Sequence, residues 1–305
     1  MSLEIAVTGG TGRLGQVVIA QLTAKGHRVR SLDKVVPATL PEAGGAVTFQ
    51  ALDLMNLEAV MEAMRGCEGI MHLGAIPGPH GHPPGVVYAN NTIGSHNVLT
   101  AAAALGIKRV CMASSVNAVG GIDSRRGRFD YFPVDEKHPT YAEDDYSLSK
   151  WVMEQQGDMF GRRYPDMTLS SLRFHALTPG KPESEAELVT AEAPVARNLW
   201  GWTWIDEGAR ACELALLAGY TGHETFFIIA PRTHSPIPSR ELAAHAYPEV
   251  PIRGDPSAGS PHGGASQGQA LEGHAGFFDC SKAGRLIGWV HDMSSWQTDP
   301  PTSSA

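Results

Sequence analysis

Cysteine is scarce: Cys67, Cys111, Cys212 and Cys280 are the only four in 305 residues, and none share a CxxC spacing. That excludes a disulfide scaffold and a zinc ribbon, and cysteines this scattered read as free thiols of a reducing cytoplasm. Also missing is any apolar run long enough to cross a bilayer. The first residues run straight into a strand, with neither a basic region nor a cleavage site, so a cytoplasmic location is expected. Positive charge is short. There are 24 Lys and Arg against 32 Asp and Glu, a formal net charge of −8, and no basic stripe. Neither nucleic acid nor membrane is therefore expected as a partner. The 13 histidines are dispersed. The one close pair, His80 and His82, lies in a Pro/Gly loop, and no metal site is expected there. What is present is ordinary for a globular protein, 42% hydrophobic and 18% charged residues. The length can bury a substantial core in one large or two small domains.

Glycine, at 34 residues, is not short, and three glycines organise the N-terminal stretch. The apolar run 3–7 predicts a buried strand, and residues 16–25 predict the helix after it. Between them, in Thr8-Gly9-Gly10-Thr11-Gly12-Arg13-Leu14-Gly15, Gly9, Gly12 and Gly15 sit three apart. The first permits a tight strand-to-helix turn, and the second lets a pyrophosphate approach the backbone. The third lets the helix lie close against the sheet. Free N–H groups at the helix start, with the helix dipole behind them, favour phosphate charge. The stretch is read as a dinucleotide-binding loop. A second strand, Arg28–Asp33, ends in an acid eighteen residues past Gly15, where a ribose-binding carboxylate should emerge. Such a group accepts hydrogen bonds from ribose hydroxyls and repels a 2′-phosphate, so Asp33 favours NAD over NADP. Lys34 and Arg13 could both approach a phosphate there, which keeps NADP open.

Strands at Val47–Ala51 and 69–75, with a helix at 56–64 between them, imply parallel βαβ units and an open sheet. Ligands of such sheets lie along the carboxyl ends of the strands, so Asp53, Leu54, Leu73, Gly74 and Ala75 should line a cofactor groove. Residues 76–85 form an irregular Pro/Gly/His loop. A long helix at 87–105 carries Asn90 and Asn91, and a strand at 108–113 delivers Ser114 and Ser115. The polar stretch 120–145 reads as a surface excursion. Asp144 or Asp145 caps a helix running from Tyr146 to about Tyr164, before Pro165, and 169–174 is a further strand. Beyond Ala176 the pattern loosens. It gives a loop over 178–194 with one short helix, a strand or loop at 200–205, a helix at 206–218 and a strand at 225–230. Residues 254–276 are too poor in large apolar groups to pack a core, so a flexible loop is expected, one that a ligand could order. Residues 277–289 form a last packed segment, and 297–305 a frayed tail.

Tyr146 and Lys150 stand four apart at the start of their helix and so face the same side. A tyrosine with pKa near 10 is a poor base at neutral pH. A lysine cation one turn away should lower that pKa and make the pair a usable acid–base catalyst. The topology places the serines that follow strand 108–113 at the same carboxyl edge as the glycine loop, so all three features border one cleft.

With those motifs in order, together with His72-Leu73-Gly74-Ala75, residues 3–174 resemble the extended short-chain dehydrogenase/reductase superfamily, which includes NAD-dependent sugar epimerases and dehydratases. The resemblance implies an α/β, doubly wound parallel-sheet Rossmann fold with a small C-terminal substrate lobe. It also implies a Ser/Tyr/Lys trio acting on a hydroxyl or carbonyl carbon. The family's catalytic serine stands five residues before a glycine, which selects Ser115, with Ser114 beside it. Asn91 matches the family asparagine slightly better than Asn90, since Gly94 follows at the family spacing. Lys150 would also hold the nicotinamide ribose. Within the superfamily, His72–Ala75, Ser114–Gly120 and Leu286–Trp289 look most like uronate dehydrogenases, which oxidise a hexuronic acid at C1. The Asn and Gly-Pro that nucleotide-sugar epimerases carry after the sixth strand are missing, which points away from a UDP-sugar.

The expected organisation is a cofactor domain over 1–175 and a substrate lobe over 176–296, with elements near 206–230 returning to the first domain. A homodimer through helices 87–105 and 146–164 is expected from the resemblance. The expected activity is hydride transfer between NAD and a sugar, sugar acid or related small molecule, with Tyr146 as acid/base and Ser114 and Asn117 as substrate contacts; Arg173 reads equally as a structural residue or as a contact for an anionic substrate. An epimerase or dehydratase that keeps its NAD shares every motif. A non-catalytic cofactor sensor is disfavoured by the joint presence of Ser115, Tyr146 and Lys150.

Overall fold

The computed structural model describes residues 2–35, 45–254 and 271–292. In chain order these form β1 (Glu4–Thr8), α1 (Arg13–Ala24), β2 (Arg28–Asp33), β3 (Val47–Ala51), α2 (Leu57–Met64), β4 (Gly69–His72), α3 (Val86–Leu105) and β5 (Arg109–Ser115). A short 3-10 turn, Val116–Val119, precedes α4 (Asp145–Arg163) and β6 (Thr168–Phe174). The remainder comprises β7 (Leu177–Thr178), α5 (Pro194–Arg197), β8 (Thr203–Trp204), α6 (Ile205–Leu216), β9 (Gly222–Ile228), α7 (Ser239–Ala246) and α8 (Ser281–Ile287). Seven strands pair in parallel in the order β3-β2-β1-β4-β5-β6-β9. This is the doubly wound α/β architecture expected, and β1, with β2 on one side and β4 on the other, marks the point where the winding reverses.

Parallel sheets are covered on both faces, and the residues of β1 divide accordingly. Ile5 and Val7 join a cluster with α1 and α6, while Ala6 faces the opposite cluster with α2, α3 and α4. A third apolar cluster lies beyond the carboxyl end of the sheet and is built from 116–134, 189–200, 227–252 and 271–280. No described helix is long and apolar enough to cross a membrane.

Several elements differ from the sequence-based expectation. Helix α1 begins at Arg13 rather than 16, so Arg13, Leu14 and Gly15 form its first turn. The stretch 120–145 is not a surface excursion. Phe132 and Val134 are fully buried, and Phe129 and Tyr131 nearly so. The stretch is stitched to the rest of the chain by Phe132 N–H to Pro251 O (2.9 Å) and Val134 N–H to Phe277 O (2.8 Å). Its charges are met internally: Arg253 donates to Asp135 at 2.8 Å and stacks 3.9 Å over the Tyr131 ring. Helix α7 was not anticipated. Of the loop expected at 254–276, residues 255–270 lie outside the described residues, as does the expected tail. Leu271, next to that gap, is fully buried in the third cluster.

Helix α4 meets β9 through two glycines. A Cβ at Gly157 would lie 2.6 Å from the His223 ring, and one at Gly161 2.9 Å from the His223 backbone. His223 bridges Ser171 Oγ (2.8 Å) and Asp158 Oδ1 (2.7 Å), tying β9 to β6 and α4.

Candidate active site

The carboxyl ends of β1, β2, β4, β5 and β6 open into one cleft of about 1050 Å³. That is at the upper end of the range of ligand pockets, about 300–1,000 Å³. Every residue expected from the sequence lines it except Asp53, Asn91 and Arg173.

One wall is the turn from β1 into α1. Gly9 adopts φ +68°, and a Cβ there would lie 2.7 Å from the Gly74 backbone; at Gly15 it would lie 2.2 Å from Gly9 O. These two glycines are demanded by the packing of the turn itself. Gly12 is different: its Cβ would meet only Gly9 O, at 3.2 Å, and would otherwise project into open space. Gly12 is also the N-cap of α1, and no side chain caps that helix. The first N–H groups of α1 therefore face a space kept clear of side-chain atoms, the environment a phosphate requires. Thr8 fixes the turn to β4, its Oγ accepting Gly74 N–H (3.1 Å) and pairing with His72 Nδ1 (2.8 Å). Burial, reinforced by the Lys150 charge, pushes the His72 pKa down to about 3, so this imidazole is neutral.

Asp33, at the end of β2, accepts from Thr11 N–H (3.2 Å) and Thr11 Oγ1 (2.7 Å), so the carboxylate is fastened to the glycine turn. Lys34 reaches Asp53 Oδ1 (3.2 Å) and Asn90 Oδ1 (3.5 Å). Two expectations need correcting here. Asp53 accepts Met55 N–H at 3.0 Å, which with Lys34 holds its pKa low, and it stands outside the cleft lining. Asn91 turns away from the cleft to grip both backbone groups of Ile76 (2.8 and 3.0 Å) and donates to Ser149 Oγ (3.1 Å). It anchors the start of the 76–85 loop, whose other end is held by Gly85 N–H to Asp145 Oδ2 (2.8 Å). Asn90, its neighbour, is the one that lines the cleft.

Opposite the glycine turn stand Ser115, Tyr146 and Lys150. Asp144 caps α4 by accepting Tyr146 N–H and Ser147 N–H, both at 2.9 Å, which sets the first turn that carries the tyrosine. Ser115 accepts Asn117 N–H at 3.1 Å, and its hydroxyl stands close enough to the Tyr146 phenol to favour its ionised form. Lys150 donates to Ala113 O at 2.7 Å, with Nζ 5.7 Å from the centre of the Tyr146 ring. The trio is brought together, but the expected electrostatics are not. Burial pushes the Tyr146 pKa up to about 12, opposed by the neighbouring Ser115 hydroxyl and helped by Asp123 and Asp144. Burial likewise brings Lys150 down to about 8. Burial outweighs the nearby Lys150 ammonium, so the phenol is raised rather than lowered in the protein alone.

Ser114, which lines the cleft, and Arg173, which does not, meet in one buried network, the structural alternative for Arg173. Arg173 Nε and Nη2 donate to Glu154 Oε1 (2.9 Å) and Oε2 (2.7 Å), and Ser114 Oγ donates to Glu154 Oε1 (2.6 Å). The arginine and glutamate side chains are only 6% and 3% exposed. Glu154 lies one turn beyond Lys150, on the face carrying Tyr146 and Lys150, and that i+4 spacing was the sequence signal for it. Replacing Glu154 by Gln keeps the shape but strands a buried guanidinium, so a loss of about 3 kcal/mol in unfolding free energy is expected. Urea denaturation measures it, and a change below about 1 kcal/mol would show that the pair is not holding α4 to β6. Sequence reasoning also missed Asp123, which lines the cleft and accepts from Asn117 Nδ2 at 2.7 Å. Nothing in the spacing of the polar stretch around it marks this acid out.

The space at Gly12, the uncapped start of α1 and the Asp33 carboxylate together fit a dinucleotide. Comparison with known proteins agrees. The family model described as "NAD dependent epimerase/dehydratase family" matches residues 5–223. A dTDP-6-deoxy-L-talose 4-dehydrogenase (NAD(+)) from Aggregatibacter actinomycetemcomitans is 26% identical over 58% of this chain, which spans 62% of that relative's length. A uronate dehydrogenase from Pseudomonas syringae pv. tomato is 26% identical over 73% of each chain. Among solved structures, a mutated uronate dehydrogenase is 25% identical, covers 82% of each chain and superposes with a TM-score of 0.61. Its fold, its glycine turn and a matched region covering most of its length place this chain in the NAD-dependent epimerase/dehydratase family.

Proposed function

We propose that the chain is an NAD-dependent oxidoreductase that transfers hydride between the nicotinamide and a hydroxyl- or carbonyl-bearing carbon of a sugar, sugar acid or related small molecule. The observation that carries this reading is the buried Tyr146 phenol gathered with Ser115 and Lys150 in the cleft that the glycine turn also lines. Bound NAD supplies the hydride acceptor. Tyr146 takes the proton from the substrate hydroxyl in oxidation and returns it in reduction, and Ser115 hydrogen-bonds the same oxygen. Lys150, held on Ala113 O, keeps a positive charge close to the phenol as that proton leaves. Arg13 and Asp33 flank the cofactor's end of the cleft, with Arg13 Nη1 spanning to Leu177 O at 3.4 Å.

The same reading divides the chain into a cofactor unit over 1–175 and a substrate lobe over 176–296, to which α6 and β9 are exceptions because they complete the first unit. It also includes a homodimer through α3 and α4, supported by the exposure of Ile93, Leu148 and Met159 on those helices. A cytoplasmic location accords with the four free cysteines.

The test is the appearance of NADH when the protein and NAD, then NADP, are offered aldoses, uronic acids, polyols and simple secondary alcohols. Stoichiometric NADH with one of the first three classes is the expected result. No net NADH, with NAD released only on denaturing the protein, would replace the dehydrogenase by an epimerase or dehydratase.

A further inference from the structure

We propose that Asp123, supported by Asn117, selects a neutral, hydroxyl-rich substrate over a carboxylated one; this rests on the preceding reading of the cleft and narrows it. The two residues follow β5 and stand on the cleft wall that holds Ser115 and Tyr146. Asn117 is 5% exposed, and its Nδ2 donates to Asp123 Oδ2 at 2.7 Å while its Oδ1 has no hydrogen-bond partner. The Asp123 side chain is 14% exposed. Its other oxygen, Oδ1, faces His80 Nε2 at 3.6 Å, and that histidine belongs to the exposed 76–85 loop with a side chain 89% exposed. A carboxylate can accept about four hydrogen bonds, so Asp123 stands in the cleft with acceptor capacity that the protein does not fill.

Unfilled acceptors call for donors. A sugar or polyol hydroxyl supplies one by displacing the exposed His80. A uronate keeps its ring hydroxyls, but where C6 meets Asp123 its carboxylate supplies no donor and adds like charge, a juxtaposition that discriminates strongly between partners. The surrounding charges do not reverse this. Asp144 adds to the negative potential at Asp123, while His80 and Arg197 oppose it. Arg197, however, directs Nη1 to the Ser124 carbonyl and is not among the residues lining the cleft. The lysines and arginine that do line it are engaged: Arg13 with Leu177 O, Lys34 with Asp53, Lys150 with Ala113 O. Arg173 gives Nε and Nη2 to Glu154, and although its Nη1 has no partner the side chain is buried and does not line the cleft. The chain thus differs from what the names of its uronate dehydrogenase relatives describe, and the difference lies in the wall made by Asn117 and Asp123.

The experiment pairs substrates that differ only at C6, glucose with glucuronate and galactose with galacturonate. Each is assayed with wild type and Asp123→Asn, which preserves size and can still accept from Asn117. Two readouts are taken: NADH production, and the thermal shift each sugar causes in NADH-loaded protein. Wild type is expected to favour the hexose at least tenfold in kcat/KM and in apparent Kd. Asp123→Asn should narrow that ratio at least tenfold, chiefly by lowering KM and Kd for the uronate. A wild-type preference for the uronate, a ratio unchanged within twofold in the variant, or binding of neither sugar would each overturn the proposal. The two readouts separate its failure from that of the hydride-transfer reading. Selective binding without NADH would leave the selectivity standing and remove the dehydrogenase, whereas turnover without selectivity would do the reverse.

Discussion

Tyr146→Phe should lower kcat/KM by about 10²–10⁴-fold, the usual contribution of a positioned acid–base group, while NADH binding changes by no more than a few-fold. The substitution removes one hydroxyl from a buried side chain whose ring stays in place, so the fold should change by no more than about 1 kcal/mol. Nothing in the glycine turn touches Tyr146, which is why binding and turnover should separate. The pH profile reports on the same group. Oxidation needs the phenolate, and a phenol pushed up to about 12 leaves little of it at neutral pH. Oxidation by wild type should therefore keep accelerating as pH rises from 7 to 10, while reduction, which uses the phenol, should not. A Phe variant with wild-type turnover would move the acid–base role elsewhere.

Lys150→Met is expected to give the opposite sign for stability and activity. Burial depresses the Lys150 pKa from 10.5 to about 8. Below pH 8 both folded and unfolded chains hold the proton, and the folded state bears the full cost of burying it, about 3 kcal/mol. Between pH 8 and 10.5 the unfolded chain holds more protons, so this contribution to stability improves as pH rises. Methionine removes the penalty and loses the charged hydrogen bond to Ala113 O, worth about 2 kcal/mol. The net gain near pH 7 is then about 1 kcal/mol, a rise of a few degrees in Tm. Turnover should fall by at least about 100-fold with the charge gone from beside Tyr146. Calorimetry at pH 7 and pH 10 checks the sign: the advantage of the methionine variant should shrink at the higher pH. A variant less stable than wild type at pH 7 would mean that the lysine's contacts outweigh its desolvation.

The parts of this site that were legible in the sequence are those fixed by local geometry. A strand, a turn that tolerates only glycine at Gly9 and Gly15, and the helix Arg13–Ala24 form one continuous unit, and Tyr146 and Lys150 share a face because a helix repeats every 3.6 residues. Asn90 and Asn91 show where such reasoning stops. Adjacent helix positions point about 100° apart, and only the packed structure decides that Asn91 holds Ile76 while Asn90 meets the cleft. Arg173 was illegible for another reason, because its partner Glu154 comes from a different element. The stretch around Phe132 misled because its aromatic residues are interleaved with charges, and those charges find their partners, such as Arg253, more than a hundred residues away. Asp123 was hidden in the same stretch.

The strand order also governs how the chain is made. Synthesis delivers β1 to β5 before β6 and β9 exist, and each parallel pairing waits for its crossover helix. Val110, Cys111 and Met112 of β5, fully buried in the finished protein, are then a bare apolar edge. Roughly 60 residues separate the end of β5 from the end of β6, so at about 5–20 residues per second that edge stays uncovered for about 3–12 s. The ribosome's pace, together with any chaperone able to cover β5 in that interval, sets how much of the protein escapes aggregation.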